Sequence, residues 1–249
     1  MKVLASDFDN TLYFKNKKSG FHDCDIKAIH AFQRKGNLFG ICSGRPIAGL
    51  IHELKGIIEP DFIIASTGAL ILDKRYQLLY GQSLPVDIAH HIHMTYQNET
   101  ALLIQTLSKK YVYVSDLHDK NDQHAYLIHS ILDVHDDIYS LSLIESTIER
   151  ATFITQEINQ KYDEVIAYQN MDSIDVVSKE CSKGHAIERL KEIYCLSNIA
   201  GIGDSYNDLP MMDAVDCSFT FEHSPQSIQE QCDYIVTTIA EAIEILEKE

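Results

Sequence analysis

The 249-residue chain is 45% hydrophobic and 23% charged, the balance of a globular protein rather than a disordered one, and is long enough for one large domain or for a core with a second domain inserted. Its formal net charge of -16 argues against sequence-independent binding to nucleic acid or to an anionic membrane, so an anionic ligand would need local positive charge or a bound cation. Six cysteines at 24, 42, 181, 195, 217 and 232 form no CxxC pair, and the start at Met1–Asp7 carries no apolar signal core, so reduced thiols and a cytoplasmic location are expected.

Lys2 to Ser6 reads as a first buried strand. A helical pattern from about Asp25 to Lys35 stops at Gly36, and Leu38 to Cys42 follows as a second strand. Ser43-Gly44-Arg45-Pro46 then opens a helix over Ile47 to Lys55, with Pro46 suited to its first turn. Asp61 to Ala65 is a third strand, and Leu70–Leu72 with Leu78–Tyr80 form a hairpin around Asp73-Lys74-Arg75. Near Tyr80 to Pro85 the texture changes. Helices at Val86–Tyr96 and Thr147–Gln160 join a strand pair at Ala101–Leu107 and Tyr111–Ser115. Further strands near Tyr139–Leu143, Glu164–Tyr168 and Ile174–Val177 complete a mixed α+β module. The strand-helix alternation resumes after Lys179, with a helix at His185–Ile193 and a strand at Asn198–Ile202. The core is therefore expected at 1–81 and 171–249, interrupted by an inserted domain at 82–170.

Chemistry concentrates where predicted strands end, the edge on which ligands collect in a parallel sheet. Asp7-Phe8-Asp9-Asn10-Thr11 puts two carboxylates two residues apart, able to divide nucleophilic and acid/base work if their surroundings set them apart, although Asp and Asn also favour plain turns. Gly203-Asp204-Ser205-Tyr206-Asn207-Asp208 offers three hard oxygen donors of the kind that Mg²⁺ accepts; its other reading is a glycine turn into a helix cap. Position 206 is Tyr206, so the stretch is no GxGxxG nucleotide loop. Ser43 and Gly44 precede a helix and could hold a phosphate at its positive end. Lys183 also precedes a helix and could neutralise phosphate charge, with Lys179 close by as a rival.

In this order the four stretches resemble the motifs of the haloacid dehalogenase superfamily: DxDxT at Asp7–Thr11, a Ser after the second strand at Ser43, a Lys at Lys183 and GDxxxD at Gly203–Asp208. The forms SGR, SKG and GDSxND, with an insertion between the second and third motifs, are most similar to the Cof-type phosphatases. That resemblance implies a doubly wound, Rossmann-like α/β core with an inserted α+β cap. It also implies Mg²⁺-dependent hydrolysis of a small phosphorylated metabolite, sugar phosphates first. Asp7 would be the nucleophile and Asp9 the acid and base. The metal would sit on Asp7, the Asp9 carbonyl and Asp204, and the phosphate on Ser43, Gly44, Lys183 and Asn207. Thr11, Arg45 and Asp208 would support them. A phosphomutase on the same scaffold and an inactive phosphate-binding regulator are the alternatives.

Two other patterns are set aside. His90, His91 and His93 have the spacing of shared metal ligands but fit a solvent-facing helix. Cys42 would need an Arg six residues on to form a cysteine-phosphatase loop, and that position is Ala48.

Overall fold

A computed structural model of the protein describes residues 1–114 and 125–248. The predicted end of one strand at Ser115 lies outside the described residues. The chain divides into two compact units, one of Met1–Ser43, Ile51–Tyr80 and Ser182 onward, the other of Gly44–Leu50 and Gly81–Cys181.

In the first part of the chain, β1 (Val3–Ser6), α1 (Asp23–Arg34), β2 (Leu38–Cys42), α2 (Ile47–Leu54), β3 (Phe62–Ala65), β4 (Leu70–Asp73) and β5 (Leu78–Gly81) follow one another. The second part carries α3 (Val86–Tyr96), β6 (Ala101–Gln105), β7 (Lys110–Tyr113), β8 (Tyr126–Ile128), β9 (Ser140–Ile144), α4 (Ile148–Lys161), β10 (Val165–Asn170) and β11 (Ser173–Ser178). The chain then returns through α5 (Lys183–Tyr194), β12 (Ala200–Ile202), α6 (Leu209–Ala214), β13 (Cys217–Phe221), α7 (Gln226–Gln229), β14 (Tyr234–Val236) and α8 (Ile239–Lys248).

The first unit is built on a sheet of order β14-β13-β12-β1-β2-β3-β4-β5. Pairing is parallel from β14 through β3 and turns antiparallel at β4. All four residues of β1 are buried, as a central strand covered on both faces requires. Alternate residues of the strands divide between two layers. Val3, Ala5, Phe62 and Ile64 share a core with Ala186 and Ile187 of α5 and Met211 of α6. On α1, buried Asp25 accepts the Ala240 N–H at 2.9 Å, so the first helix caps the last. The fold is the expected doubly wound α/β core.

The second unit is a separate antiparallel-rich sheet of order β10-β11-β9-β6-β7-β8, in which only the β7–β8 pair is parallel. One face carries Leu102, Ile104, Leu143 and Ile174 into a core with Ile92 of α3 and Ile154 of α4. The other face sets Val112, Leu103, Ser142, Asp175 and Tyr168 in register across five strands. The boundary expected at 170 would cut the β10–β11 hairpin. The turn at Met171, with φ of 56°, instead keeps Asn170 opposite Ser173, and the pairing continues to Val165 opposite Ser178, so this unit runs on to Cys181.

The six cysteines are all free thiols. No helix among the described residues is long and apolar enough to cross a membrane.

Candidate active site

The order β12-β1-β2 determines what stands at the carboxyl edge of the first sheet. Ser6 pairs with Ile202 on one side and Ile41 on the other, so the next residues, Asp7, Gly203 and Cys42, emerge side by side. The Asp7 N–H donates to the Ile202 carbonyl at 2.8 Å, and the Ser43 N–H to the Ile64 carbonyl at 2.9 Å, which carries the ladder one residue further on each strand. Beyond Asp7 the chain closes a tight loop: the Leu12 and Tyr13 N–H groups donate to the Phe8 carbonyl at 3.0 and 2.7 Å, with Asn10 at φ of 57°. Phe8 and Tyr13 stack beneath it, ring centroids 5.2 Å apart. Asp9 lies half-buried in this loop, and Thr11 points its hydroxyl to Asp204, donating to Oδ1 at 3.0 Å.

Lys183 enters from α5. The helix starts at Lys183 rather than at His185, because the Ser182 side chain accepts the His185 N–H at 3.0 Å and so caps the turn. The lysine is 1% exposed; its Nζ donates to Asp7 Oδ1 at 2.6 Å and also to Asp208 Oδ1. Asp208 Oδ2 accepts the Asp204 and Ser205 N–H groups at 3.1 and 3.0 Å, so both of its oxygens are engaged. Gly203 permits this approach: a Cβ there would lie 2.6 Å from Asp208 Cγ. Asn207 belongs to the same turn, its side-chain oxygen accepting from the Ser205 hydroxyl.

Oxygens of Asp7, Asp204 and Asp208 lie within 4.8 Å of one another. One buried ammonium faces three carboxylates, so the negative charge is in excess. Burial, reinforced by the charge of Asp208, pushes Asp7 up to about 8 despite Lys183. Burial and Asp208 likewise push Asp204 up to about 6, against the Thr11 hydrogen bond. Burial alone would lower Lys183, but the Asp208 and Asp7 charges outweigh it and hold the ammonium above its usual range. A cluster of hard oxygen donors with excess negative charge fits a divalent cation. Asp7 keeps its second carboxylate oxygen without a hydrogen bond among the described residues, whereas Asp208 has none to spare.

Asp7, Lys183, Asp204 and Asp208 are thus brought together, with Thr11 bonded to the cluster and Asn207 in the turn that holds it. Ser43 is buried at the end of the neighbouring strand. Gly44 and Arg45 group with the second unit. Ser205, which carries none of the roles expected above, also helps hold Asp208 through its N–H, and the S-x-x-D spacing of a capping box at 205–208 is the signal of it in the chain.

The model of the haloacid dehalogenase-like hydrolases matches residues 4–243, and the chain belongs to that family. It is an enzyme of the phosphoric monoester hydrolase class within it. A relative from Bacillus subtilis, the 5-amino-6-(5-phospho-D-ribitylamino)uracil phosphatase YcsE, is 23% identical over 96% of this chain and 90% of its own length. Among solved structures, a haloacid dehalogenase-like hydrolase from B. subtilis superposes with a TM-score of 0.84 at 18% identity, covering 99% of both chains. A sugar phosphatase of subclass IIB superposes at 0.79 with 16% identity, covering 100% of this chain and 98% of its own.

Proposed function

We propose that the protein is a cytoplasmic, Mg²⁺-dependent phosphatase of small phosphate monoesters, working through an aspartyl phosphate on Asp7. The observation that carries this reading is the buried Lys183, which grips one oxygen of Asp7, while the other has no hydrogen bond among the described residues. That second oxygen attacks phosphorus as the ester P–O bond breaks. Asp9, two residues on in the half-buried loop, gives its proton to the leaving oxygen. It then takes a proton from the water that displaces Asp7 from phosphorus. Ser43, Gly44, Lys183 and Asn207 hold the phosphoryl oxygens, where the transition-state charge is spread. Asp208 and Arg45 act in support, Asp208 by orienting Lys183. The Asp7 side chain, the Asp9 carbonyl and Asp204 would hold Mg²⁺, which would supply positive charge that keeps Asp7 ionised and offsets its repulsion from the phosphate dianion.

Selectivity for the leaving group is assigned to the inserted second unit, and sugar phosphates are the first substrate class to test, in line with the sugar phosphatase that shares the fold. The six free thiols agree with a reducing compartment. The test is phosphate release from p-nitrophenyl phosphate and a panel of phosphorylated metabolites, with Mg²⁺ and with excess chelator. Wild type should be Mg²⁺-dependent, and Asp7→Asn should lose about 1,000-fold or more in kcat. Equal phosphate release by wild type and Asp7→Asn across the panel would refute the reading.

A further inference from the structure

Beyond β3 the chain makes a buried turn, Ser66-Thr67-Gly68, whose three successive φ angles are all positive, at 50°, 55° and 93°. Residues other than glycine visit this region singly and at a steric penalty, and a β-branched threonine is especially disfavoured there. Such a backbone persists only where its surroundings over-determine it, and those surroundings can be named.

On one side the Thr67 N–H donates to the Ser43 carbonyl at 3.2 Å. On the other, Gly68 lies against the residue that caps α5. A Cβ on Gly68 would land on the Ser182 carbonyl oxygen, 2.7 Å from the carbonyl carbon and 3.2 Å from Ala186 Cβ. The next residue after Ser182 is Lys183. The Ala69 N–H closes the turn onto the Ser66 carbonyl at 3.1 Å, and Ser66, 1% exposed, has no hydrogen-bond partner for its hydroxyl among the described residues. Two buried residues in a disfavoured conformation, followed by a glycine, therefore span the gap between the strand end that bears Ser43 and the helix start that bears Lys183.

We infer that Ser66, Thr67 and Gly68 are positioning residues that fix the spacing of Ser43 and Lys183, two of the groups assigned to the phosphate, an inference that rests on the phosphatase reading. None of the three need touch the substrate. Their left-handed backbone sets the Thr67 N–H on the Ser43 carbonyl and lets Gly68 clear Ser182, and displacement of a phosphate-holding group by about 1 Å costs on the order of 100-fold in rate.

Two variants and a control test this. Gly68→Ala pushes Ser182 away, and kcat should fall about 100-fold. The double variant Ser66→Gly with Thr67→Gly relieves the steric penalty and frees the turn. Its unfolding midpoint should hold or rise, while kcat falls about tenfold and inhibition by inorganic phosphate weakens by a similar factor. The control, Gly36→Ala, introduces the same backbone penalty at φ of 81°, where an added Cβ meets nothing within 4 Å. It should lose stability yet keep kcat within about twofold. The positioning role is overturned if the double-glycine variant keeps both kcat and phosphate inhibition within about twofold of wild type. Should Gly68→Ala fail to fold, the double variant decides alone. If wild type releases no phosphate from any ester, the phosphatase reading fails instead. Calorimetric titration with inorganic phosphate then decides the inference, and equal affinity in wild type and the double variant overturns it.

Discussion

The two units treat their carboxylates differently: Asp7 lies buried beside Lys183 in the first, and Asp175 lies half-buried beside the Ser142 hydroxyl, 2.7 Å away, in the second. Burial pushes Asp175 up to about 6 against that one hydrogen bond. Around Asp7, by contrast, an ammonium, a second carboxylate and two backbone N–H groups form a connected set. The contrast extends to the unpartnered groups. Among the described residues the first unit buries one side-chain polar atom without a partner, Ser66 Oγ, whereas in the second His90, His93, Gln105 and Glu145 each leave at least one unpaired. Buried polar atoms without partners lower stability, and fully connected networks hold geometry. The first unit thus spends its polar interior on fixed placement of Asp7, Lys183 and Asp208. The second keeps polar atoms whose desolvation nothing offsets.

Breaking the connected set should have the largest effect. Lys183→Met leaves Asp7 and Asp208 buried without their cation, and urea unfolding should show a loss of about 3–5 kcal/mol. A loss below about 1 kcal/mol would mean that the ammonium is not what compensates these carboxylates.

The unpaired groups of the second unit give the next largest effect, and it depends on pH. His93 is 2% exposed, with its ring 4.3 Å from that of Tyr113. Burial, then the charge of His90, lowers its pKa from 6.5 to about 4. The unfolded chain therefore takes up the proton first as pH falls. Stability present above about pH 6.5 is lost down to about pH 4, by on the order of 3 kcal/mol. His93→Phe keeps an aromatic ring beside Tyr113 and should flatten this dependence between pH 7 and pH 4.5. If the two proteins lose stability in parallel over that interval, His93 is not the responsible group.

The smallest effect should come from the rim of the connected set. Thr11→Val removes the hydroxyl that donates to Asp204. Its expected cost is about 1 kcal/mol in thermal unfolding, with a rise of a few fold in the Mg²⁺ concentration needed for half-maximal activity. An unchanged Mg²⁺ requirement would confine Thr11 to the loop.

Much of the first unit could be read from the chain because its determinants are local. A buried apolar run followed by Asp7, Ser43 or Gly203 marks both the strand and the edge on which its last residues stand. Lys183 was harder to place, since the start of α5 depends on the side chain of Ser182. The Ser66–Gly68 turn gave no such signal. Ser and Thr are ordinary residues after a strand, and their left-handed backbone is imposed by Ser43 and Ser182, which are distant in sequence. In the second unit β8 was missed because Tyr126–Ile128 is only three residues long, two of them exposed, and pairs in parallel with β7. The boundary at 170 failed for a similar reason: a two-residue hairpin turn at Met171 and Asp172 carries no glycine or proline to advertise it.

The pairing of β1 with β12 also bears on synthesis. Asp7 lies 176 residues from Lys183 in the chain, and the central strand gains its β12 neighbour only once Ala200–Ile202 has been made. Every strand of the second sheet, by contrast, falls between Ala101 and Ser178. A chain emerging from its amino terminus therefore holds all of the second sheet while β1 still has one open edge. The inserted unit can assemble first, and Asp7 acquires its lysine only after every strand of the second sheet has been made.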